Sequence, residues 1–273
     1  MDGLRIAVLV KQVPATDTVK IDEKTGVMIR DGIEMELNPL DLHAVEAALQ
    51  VKERLGPDTV KITAISMGPA QAEKTVRYAV AMGCDDGVLL SDKTFGGSDT
   101  LATARTIARA LEKSGAFSLI FSGERATDGE TGQVGPAVAE FLKIPVVTYA
   151  SGLNEIAEEE ICAVRSIEGG YETVRTRLPA LVVALKEMNV PRLCTLEGKI
   201  KAKNADIKIL SADDLGLMPD ETGISGSATQ VVNIRYPKVT RRGRTIAATA
   251  RIDEALDAIA GVLEDKNLLE ASR

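Results

Sequence analysis

The sequence predicts an α/β fold: a doubly wound, mostly parallel sheet with an added β-hairpin and a C-terminal arm. Three observations carry this. Short apolar runs alternate with amphipathic segments through the first two-thirds of the chain, and Gly and Pro punctuate each change. Two polar–apolar runs then flank Gly169-Gly170, as in a hairpin. The end of the chain has too few apolar residues for a core of its own. The expected division is an α/β domain over 1–230 and an arm over 231–273.

The first strand is Arg5 to Lys11. Asn38-Pro39-Leu40-Asp41 reads as a helix start, with Asn as N-cap, Pro at the first helical position and Asp where a capping box places an acid. Val45, Ala48, Leu49 and Leu55 give that helix an apolar face, and Gly56 ends it. Val60 to Met67 is a strand, Gly68-Pro69 opens a helix and Gly83 closes it. Gly87 to Ser91 is the next strand, and Ser98-Asp99-Thr100 caps a helix running through Ile107 and Leu111 toward Gly115. Phe117 to Ser122 is a strand, then a turn leads to Val134, Val138, Phe141 and Leu142 at helical spacing, then the strand Val146 to Tyr149. Cys162 to Ile167 and Tyr171 to Leu178 form the hairpin, and Pro179 leads into a buried strand, Ala180 to Leu185. A loop, Lys186 to Leu196, precedes a basic patch at Lys199, Lys201 and Lys203. Beyond Ser211 the chain reads as loop, with a short strand at Gln230 to Tyr236, a basic turn at Arg241-Arg242-Gly243-Arg244 and an amphipathic helix from Ile252 to Leu263. This tail reads as an arm for a partner subunit, the alternative being a helix folded back on its own domain.

In a sheet of this class ligands lie beyond the carboxyl ends of the strands. The turns gathered there are Val10–Thr18, Ser66–Ala70, Ser91–Thr100 and Gly123–Gln133. The last belongs to Gly-Glu-Arg-Ala-Thr-Asp-Gly-Glu-Thr-Gly-Gln-Val-Gly-Pro, residues 123–136, which is the most informative stretch of the chain. Its glycines let backbone N–H groups approach a ligand, and the helix start adds partial positive charge, which suits a phosphate or pyrophosphate. Asp128, Thr131 and Gln133 suit ribose hydroxyls or an adenine edge. Glycine count alone leaves a capped surface turn equally open, since the segment is neither a Walker loop nor G-x-G-x-x-G.

Composition narrows the classes. The net charge is −7, with 33 basic and 40 acidic residues and no long basic run, which argues against nucleic acid. Aromatic residues make up 3% of the chain, too few for a stacking platform. No apolar stretch approaches the roughly 20 residues of a membrane span, and the start lacks a signal-peptide pattern. Cys84, Cys162 and Cys194 are odd in number and far apart, without C-x-x-C, so neither a zinc ribbon nor a disulfide framework is expected and a cytoplasmic, reducing setting is. His43 is the single histidine and reads as a helix-surface or packing residue. With no G-x-S-x-G and no metal motif, any electron chemistry would rest on a bound cofactor.

Nearly the whole chain resembles the electron-transfer flavoprotein β-subunit family. Lys11-Gln12-Val13-Pro14, Asn38-Pro39 with Asp41, Ala44-Val45-Glu46, Ser66-Met67-Gly68-Pro69, Ala79-Val80-Ala81-Met82-Gly83, the 123–136 turn, Leu178-Pro179-Ala180, Asn189, Pro191-Arg192 and Lys199 to Lys203 recur in the family's order. The resemblance implies a flavodoxin-like, adenine-nucleotide-binding fold. It also implies an obligate heterodimer with an α-subunit that holds an electron-carrying FAD. In the ordinary branch the β-subunit carries structural AMP. In the bifurcating branch it carries a second FAD, takes a hydride from NADH, and sends electrons to ferredoxin or flavodoxin and, through the α-subunit, to a flavin dehydrogenase of acyl-CoA or related type.

The glycine-rich Phe95-Gly96-Gly97-Ser98-Asp99-Thr100, with Thr103 one turn on, resembles the bifurcating branch, as does Asp128-Gly129-Glu130-Thr131. Small residues at 96–98 would leave room for a flavin ring and a nicotinamide. The expected cofactor residues are therefore Asn38, Pro39 and Asp41; Ser66, Met67 and Gly68; Phe95, Gly97, Asp99, Thr100 and Thr103; and Gly123, Arg125, Ala126, Asp128, Gly129, Thr131, Gly132, Gln133 and Val134. Arg125 would lie near the flavin ring as a fixed positive charge. The family's partner-recognition loop corresponds to Lys186–Leu196, with Asn189, Pro191 and Arg192 in it and Leu196 at the docking position. Cys194 departs from the small or aromatic residue usual there. A different class, an ATP-binding stress-type module with no redox role, shares this kind of fold but lacks the hairpin, the recognition loop and the arm.

Overall fold

A computed structural model describes residues 3–15, 34–232 and 252–266, together with positions 245 and 268. The predicted strand at 230–236 lies mostly outside these residues, and the basic turn at 241–244 wholly so. The chain divides into two units, 1–232 and 233–273.

The first unit is the predicted doubly wound, mostly parallel sheet. Its strands are β1 (Leu4–Leu9), β4 (Val60–Met67), β5 (Asp86–Leu90), β6 (Leu119–Gly123), β7 (Val146–Ile156), β8 (Glu160–Ile167), β9 (Gly170–Arg177), β10 (Ala180–Ala184) and β11 (Ile207–Leu210). They lie in the order β11-β5-β4-β1-β6-β10-β7-β8-β9, and only the pairings of β8 are antiparallel. A separate pair joins β2 (Gln12–Pro14) to β3 (Met35–Leu37). The helices are α1 (Pro39–Leu55), α2 (Glu73–Met82), α3 (Thr100–Lys113), α4 (Val134–Leu142), α5 (Leu196–Asn204) and the one-turn α6 (Ala212–Leu215).

The apolar runs become central strands because both faces of the sheet are covered. One core joins Ile6, Val8, Ile62, Ala64, Leu119, Phe121 and Val182 to Val45, Leu49, Val76 and Val80 of α1 and α2. The other joins Ala7, Leu9, Ile65, Leu90, Ile120 and Val183 to Ile107 and Leu111 of α3 and Val138 of α4. Alternate residues of β1 thus serve opposite cores, as the two-residue side-chain period requires. A fully buried side chain such as Phe121 contributes about 1.5–3 kcal/mol by leaving water.

Several expectations change in detail. The strand expected at 146–149 runs on to Ile156 and pairs with β8, so the hairpin is part of a three-stranded antiparallel extension. β10 inserts between β6 and β7, parallel to both. α5 takes up the end of the expected loop and the basic patch, β11 is a strand that the sequence reading did not include, and α6 begins where only loop was expected. Ser211 caps α6 with Asp214 in a capping box; one turn is too short to show helical periodicity. The second unit contains α7 (Ile252–Asp265), which starts where the amphipathic helix was expected and runs past its expected end at Leu263, with Ile252, Leu256, Ile259 and Val262 exposed at helical spacing.

Candidate functional site

β1 is the switch point of the sheet, with β4 on one side and β6 on the other. The carboxyl ends of these strands bring three predicted segments together. Asn38, fully buried, precedes α1 but does not cap it with its side chain. Instead its Nδ2 donates to the Arg125 carbonyl at 2.9 Å, and its Oδ1 accepts from the Thr127 N–H at 3.2 Å. Asp41 likewise is not the acid of a capping box, because the Asn38 N–H is taken by the Lys11 carbonyl at 2.9 Å. The Asp41 carboxyl accepts from the Lys11 N–H at 2.8 Å and from the Gly123 N–H. Burial pushes this carboxyl up to about 7, against the opposing pull of its hydrogen bonds with Asn38, Lys11 and Gly123 and of the Lys11 charge. Pro39 occupies the first helical position, as expected.

The 123–133 turn is pinned to this base. Lys11 Nζ reaches both Asp128 oxygens, at 2.7 and 2.8 Å, so Asp128 is an ion-pair partner in this structure. Thr100 Oγ1 donates to Gln133 Oε1 at 2.8 Å, joining the starts of α3 and α4. Gly132 has φ +62, a conformation that L side chains rarely adopt, and Gly129, Thr131, Gly132 and Gln133 are exposed. Among the described residues, nothing accepts a hydrogen bond from the N–H groups of Gly129, Thr131 or Gly132. Val134 opens α4 and packs partly into the core, while Ala126 accepts from the Glu130 N–H at 2.8 Å.

On the other side of β1, Ser66 ends a buried run of β4. It is 1% exposed and its hydroxyl has no partner among the described residues. A buried hydroxyl without a partner costs roughly 1–3 kcal/mol. An orphaned hydroxyl, free N–H groups and the start of α4 therefore fit the adenylate and phosphate portion of a nucleotide. Met67 packs against the second core, and the Gly68 N–H is bonded to the Leu90 carbonyl at 3.0 Å.

The α3 side differs from expectation. Phe95 is a core side chain. Asp99, not Ser98, caps α3, taking the N–H groups of Leu101 and Ala102 at 2.9 and 3.0 Å. Its second oxygen accepts from the N–H and hydroxyl of Thr229 at 2.8 and 3.0 Å, so both oxygens are engaged. The Ser98 hydroxyl accepts from the Gly223 N–H at 3.1 Å, and the Asp99 N–H donates to Ser227 Oγ at 2.8 Å. Gly97, at φ +77, lies under Ile224, whose side chain is 2.5 Å from where a Cβ would be. The space expected over residues 96–98 is thus partly occupied by a strap of the chain itself, residues 222–229. Thr103 lies one turn into α3, its N–H bonded to the Asp99 carbonyl at 3.0 Å. Arg125 is paired with Glu124 and lies 4.0 Å from Glu130, so its charge is balanced locally.

Sequence reasoning missed Thr127, Ile224, Ser227 and Thr229. The strap carries no motif, and its role follows from a return of the chain over about 130 residues. It also missed a cleft of about 670 Å3 beside Arg125, lined by Tyr149, Arg165 and Tyr171 among others. Tyr149 there has φ 55, where the β10–β7 register shifts.

The loop at 186–196 starts at that cleft, which Lys186 and Glu187 help to line, and then runs along α1. Leu193 and Leu196 are exposed, whereas Asn189 and Arg192 turn onto α1 and Pro191 is half-buried. Leu196 is the first residue of α5, which Thr195 caps by accepting from the Gly198 N–H at 2.9 Å. Burial pushes the Cys194 thiol up. Among the described residues no His, Cys, Asp and Glu side chains gather that could hold a metal ion, and no helix is long and apolar enough to cross a membrane.

Comparison with known proteins places residues 25–215 in the electron transfer flavoprotein domain model. The chain is 42% identical over 267 residues to the electron transfer flavoprotein subunit beta of Thermoanaerobacterium thermosaccharolyticum, covering 97% of this chain and 100% of the relative. It is 40% identical over 266 residues to the caffeyl-CoA reductase-Etf complex subunit CarD of Acetobacterium woodii, covering 97% and 100%. It is 38% identical over 237 residues to the protein FixA of Bradyrhizobium diazoefficiens, covering 84% and 81%.

Proposed function

The chain belongs to the electron transfer flavoprotein β-subunit family, and from that premise we propose that it binds FAD in the cradle at the switch point and forms the NADH-oxidising half of a bifurcating heterodimer. β-Subunits of this family pair with an α-subunit and associate with flavin or nucleotide. The observation that carries the reading is the cradle itself: an orphaned Ser66 hydroxyl at the end of β4 and, after β6, an exposed, glycine-rich turn that leads into α4. When bound there, a flavin supplies hydride acceptance and its division into single electrons.

The chain's own residues bind and orient. Backbone N–H groups at Gly129, Thr131 and Gly132 would hold phosphate oxygens, with the dipole of α4 behind them. Ser66 would bond the nucleotide, and Asn38 keeps the turn in register through Arg125 and Thr127. Lys11 holds Asp128 in place until a ribose competes for it. The α3 start, with Gly97 and Thr100, would border the ring-bearing portion. Electrons would pass to ferredoxin or flavodoxin and, through an FAD on the α-subunit, to a flavin dehydrogenase of acyl-CoA or related type docked at Leu196. The arm at 231–273 would pack on the α-subunit.

A second reading is favoured by one observation. Ile224 lies over Gly97, which narrows the site next to α3 and suits AMP alone, as in a non-bifurcating electron carrier. Anaerobic mixing of the α/β complex with NADH separates the two. Two FADs per heterodimer with rapid bleaching support bifurcation; one FAD plus one AMP, unreduced by NADH, returns the protein to the ordinary branch.

A further inference from the structure

Helix α1 carries a polar stripe on an otherwise core-forming element: His43, Glu46, Gln50 and Glu53, at spacings of three, four and three residues, which is one face of a helix. The loop at 186–196 is fastened along that face. The Glu46 side chain is 5% exposed. It accepts from Arg192 Nε at 2.8 Å, from Arg192 Nη2 at 2.9 Å and from the Arg192 backbone N–H at 3.1 Å. Arg192 Nη1 reaches Glu53 at 2.6 Å. Gln50 Nε2 donates to Glu46 at 3.3 Å. One turn earlier, Asn189 Nδ2 donates to the His43 carbonyl at 2.9 Å, and His43 Nδ1 lies 3.1 Å from the Asn189 carbonyl and 3.2 Å from its Oδ1. Burial raises the Glu46 carboxyl, and the Arg192 bonds outweigh it, holding the group ionised.

The residues between and beyond the fasteners face the opposite way. Val190, Leu193 and Leu196 are 87%, 86% and 76% exposed. Exposing three large apolar side chains on one short segment opposes the hydrophobic effect, and a rigid tether is what keeps them from folding inward.

We propose that Glu46 is the positioning residue of the docking loop: through Arg192 it fixes the segment so that Val190, Leu193 and Leu196 are presented together as the contact, while Asn189 and Arg192 serve inside the chain and touch no partner. This rests on the reading of that loop as the dehydrogenase-docking element. A buried, multiply bonded Glu–Arg pair suits this task because its geometry is planar and directional, which a lysine does not reproduce.

The experiment uses the intact α/β complex, with a flavin-dependent acyl-CoA dehydrogenase titrated as electron acceptor. Glu46→Gln, Arg192→Lys, Leu196→Ala and the Glu46→Gln/Leu196→Ala double variant are compared for KM toward the dehydrogenase, kcat, nucleotide content and hydrogen exchange at 186–196. Leu196→Ala should raise KM about tenfold, the effect of losing one central anchor. Glu46→Gln and Arg192→Lys should each raise KM by about three- to tenfold at constant kcat and nucleotide content, and should lose exchange protection in the loop. The double variant should fall well short of the product of the single effects, because both act through one presentation of the loop. If Leu196→Ala raises KM while Glu46→Gln and Arg192→Lys stay within about twofold of the native complex, the tether is structural only and the proposal is wrong. If Leu196→Ala also leaves KM unchanged, the docking reading fails and takes the tether with it. Should Glu46→Gln not assemble, the part-exposed Arg192→Lys decides alone by the same criteria.

Discussion

Asp41 should give this protein a stability that falls as pH rises through the weakly acidic range, and Asp41→Asn should abolish that dependence. The carboxyl lies 7% exposed between the ends of β1 and β6, and burial pushes it from 3.8 up to about 7. A folded-state value above the unfolded one means that the native chain binds the proton more tightly. The stabilisation is then complete below about pH 4 and is lost as pH climbs to about 7. About three units at about 1.4 kcal/mol each gives ~4 kcal/mol over that window. Asparagine has nearly the same shape and no charge, and it can accept from only one of the Lys11 and Gly123 N–H groups. At low pH both side chains are neutral, so the variant should be less stable there only by an offset of about 1–3 kcal/mol that does not vary with pH. Urea unfolding of both proteins at half-unit steps from pH 4.5 to 7.5 measures the difference directly, and other titrating groups cancel. The difference should move by about 3 kcal/mol in the variant's favour across the series. Curves that remain parallel to within about 0.5 kcal/mol would mean that Asp41 is ionised throughout, held by Lys11 and the two N–H groups.

Three further outcomes are expected. Ser66→Ala should leave the ligand-free chain as stable or more so, since it removes an unpartnered hydroxyl, yet weaken nucleotide binding by about 0.5–1.5 kcal/mol; calorimetric titration with FAD and with AMP, alongside thermal unfolding, tests both signs. Gly132→Val forces a branched residue to φ +62 and should cost one nucleotide per heterodimer; unchanged nucleotide content after acid extraction would remove the turn from the site. Deleting residues 245–273 removes α7 and its apolar Ile252, Leu256, Ile259 and Val262, and should release or destabilise the heterodimer; stoichiometric copurification of the truncated chain with its α-subunit would refute the arm reading.

The parallel sheet was legible because its strands are continuous apolar runs separated by amphipathic helices with proline and glycine at their ends. The cradle was legible in outline for a related reason: a strand, a glycine-rich turn and a helix start are consecutive in sequence. What escaped was non-local. Asn38 and Asp41 read as capping residues because their spacing is that of a cap, but their real partners lie about 85 residues downstream and 30 upstream, where only the fold brings them. The glycines at 96 and 97 read as room for a ligand, whereas Ile224 returns to cover Gly97. Asn189 and Arg192 read as loop residues, and the bonds that turn them onto His43, Glu46 and Glu53 of α1 join positions 139 to 146 apart in sequence.

The placement of β10 has a consequence for how the chain comes off the ribosome. β6 and β7 are consecutive parallel strands, yet they cannot zip together, because the lane between them belongs to a strand made some 25 residues after β7 ends. Until residue 184 has emerged, the nascent sheet must hold that lane open or close it wrongly, with Val146 and Val147 sliding against Leu119 and Ile120. All five residues of β10 are buried, so a wrong closure would strand an apolar segment in water. The antiparallel β7–β8–β9 extension, built from sequence-local pairings that form early, offers a remedy. By organising the outer half of the sheet first, it delivers β10 to the gap as a tethered and nearly finished piece, and synthesis arrested between residues 123 and 180 should yield the most aggregation-prone fragments of this protein.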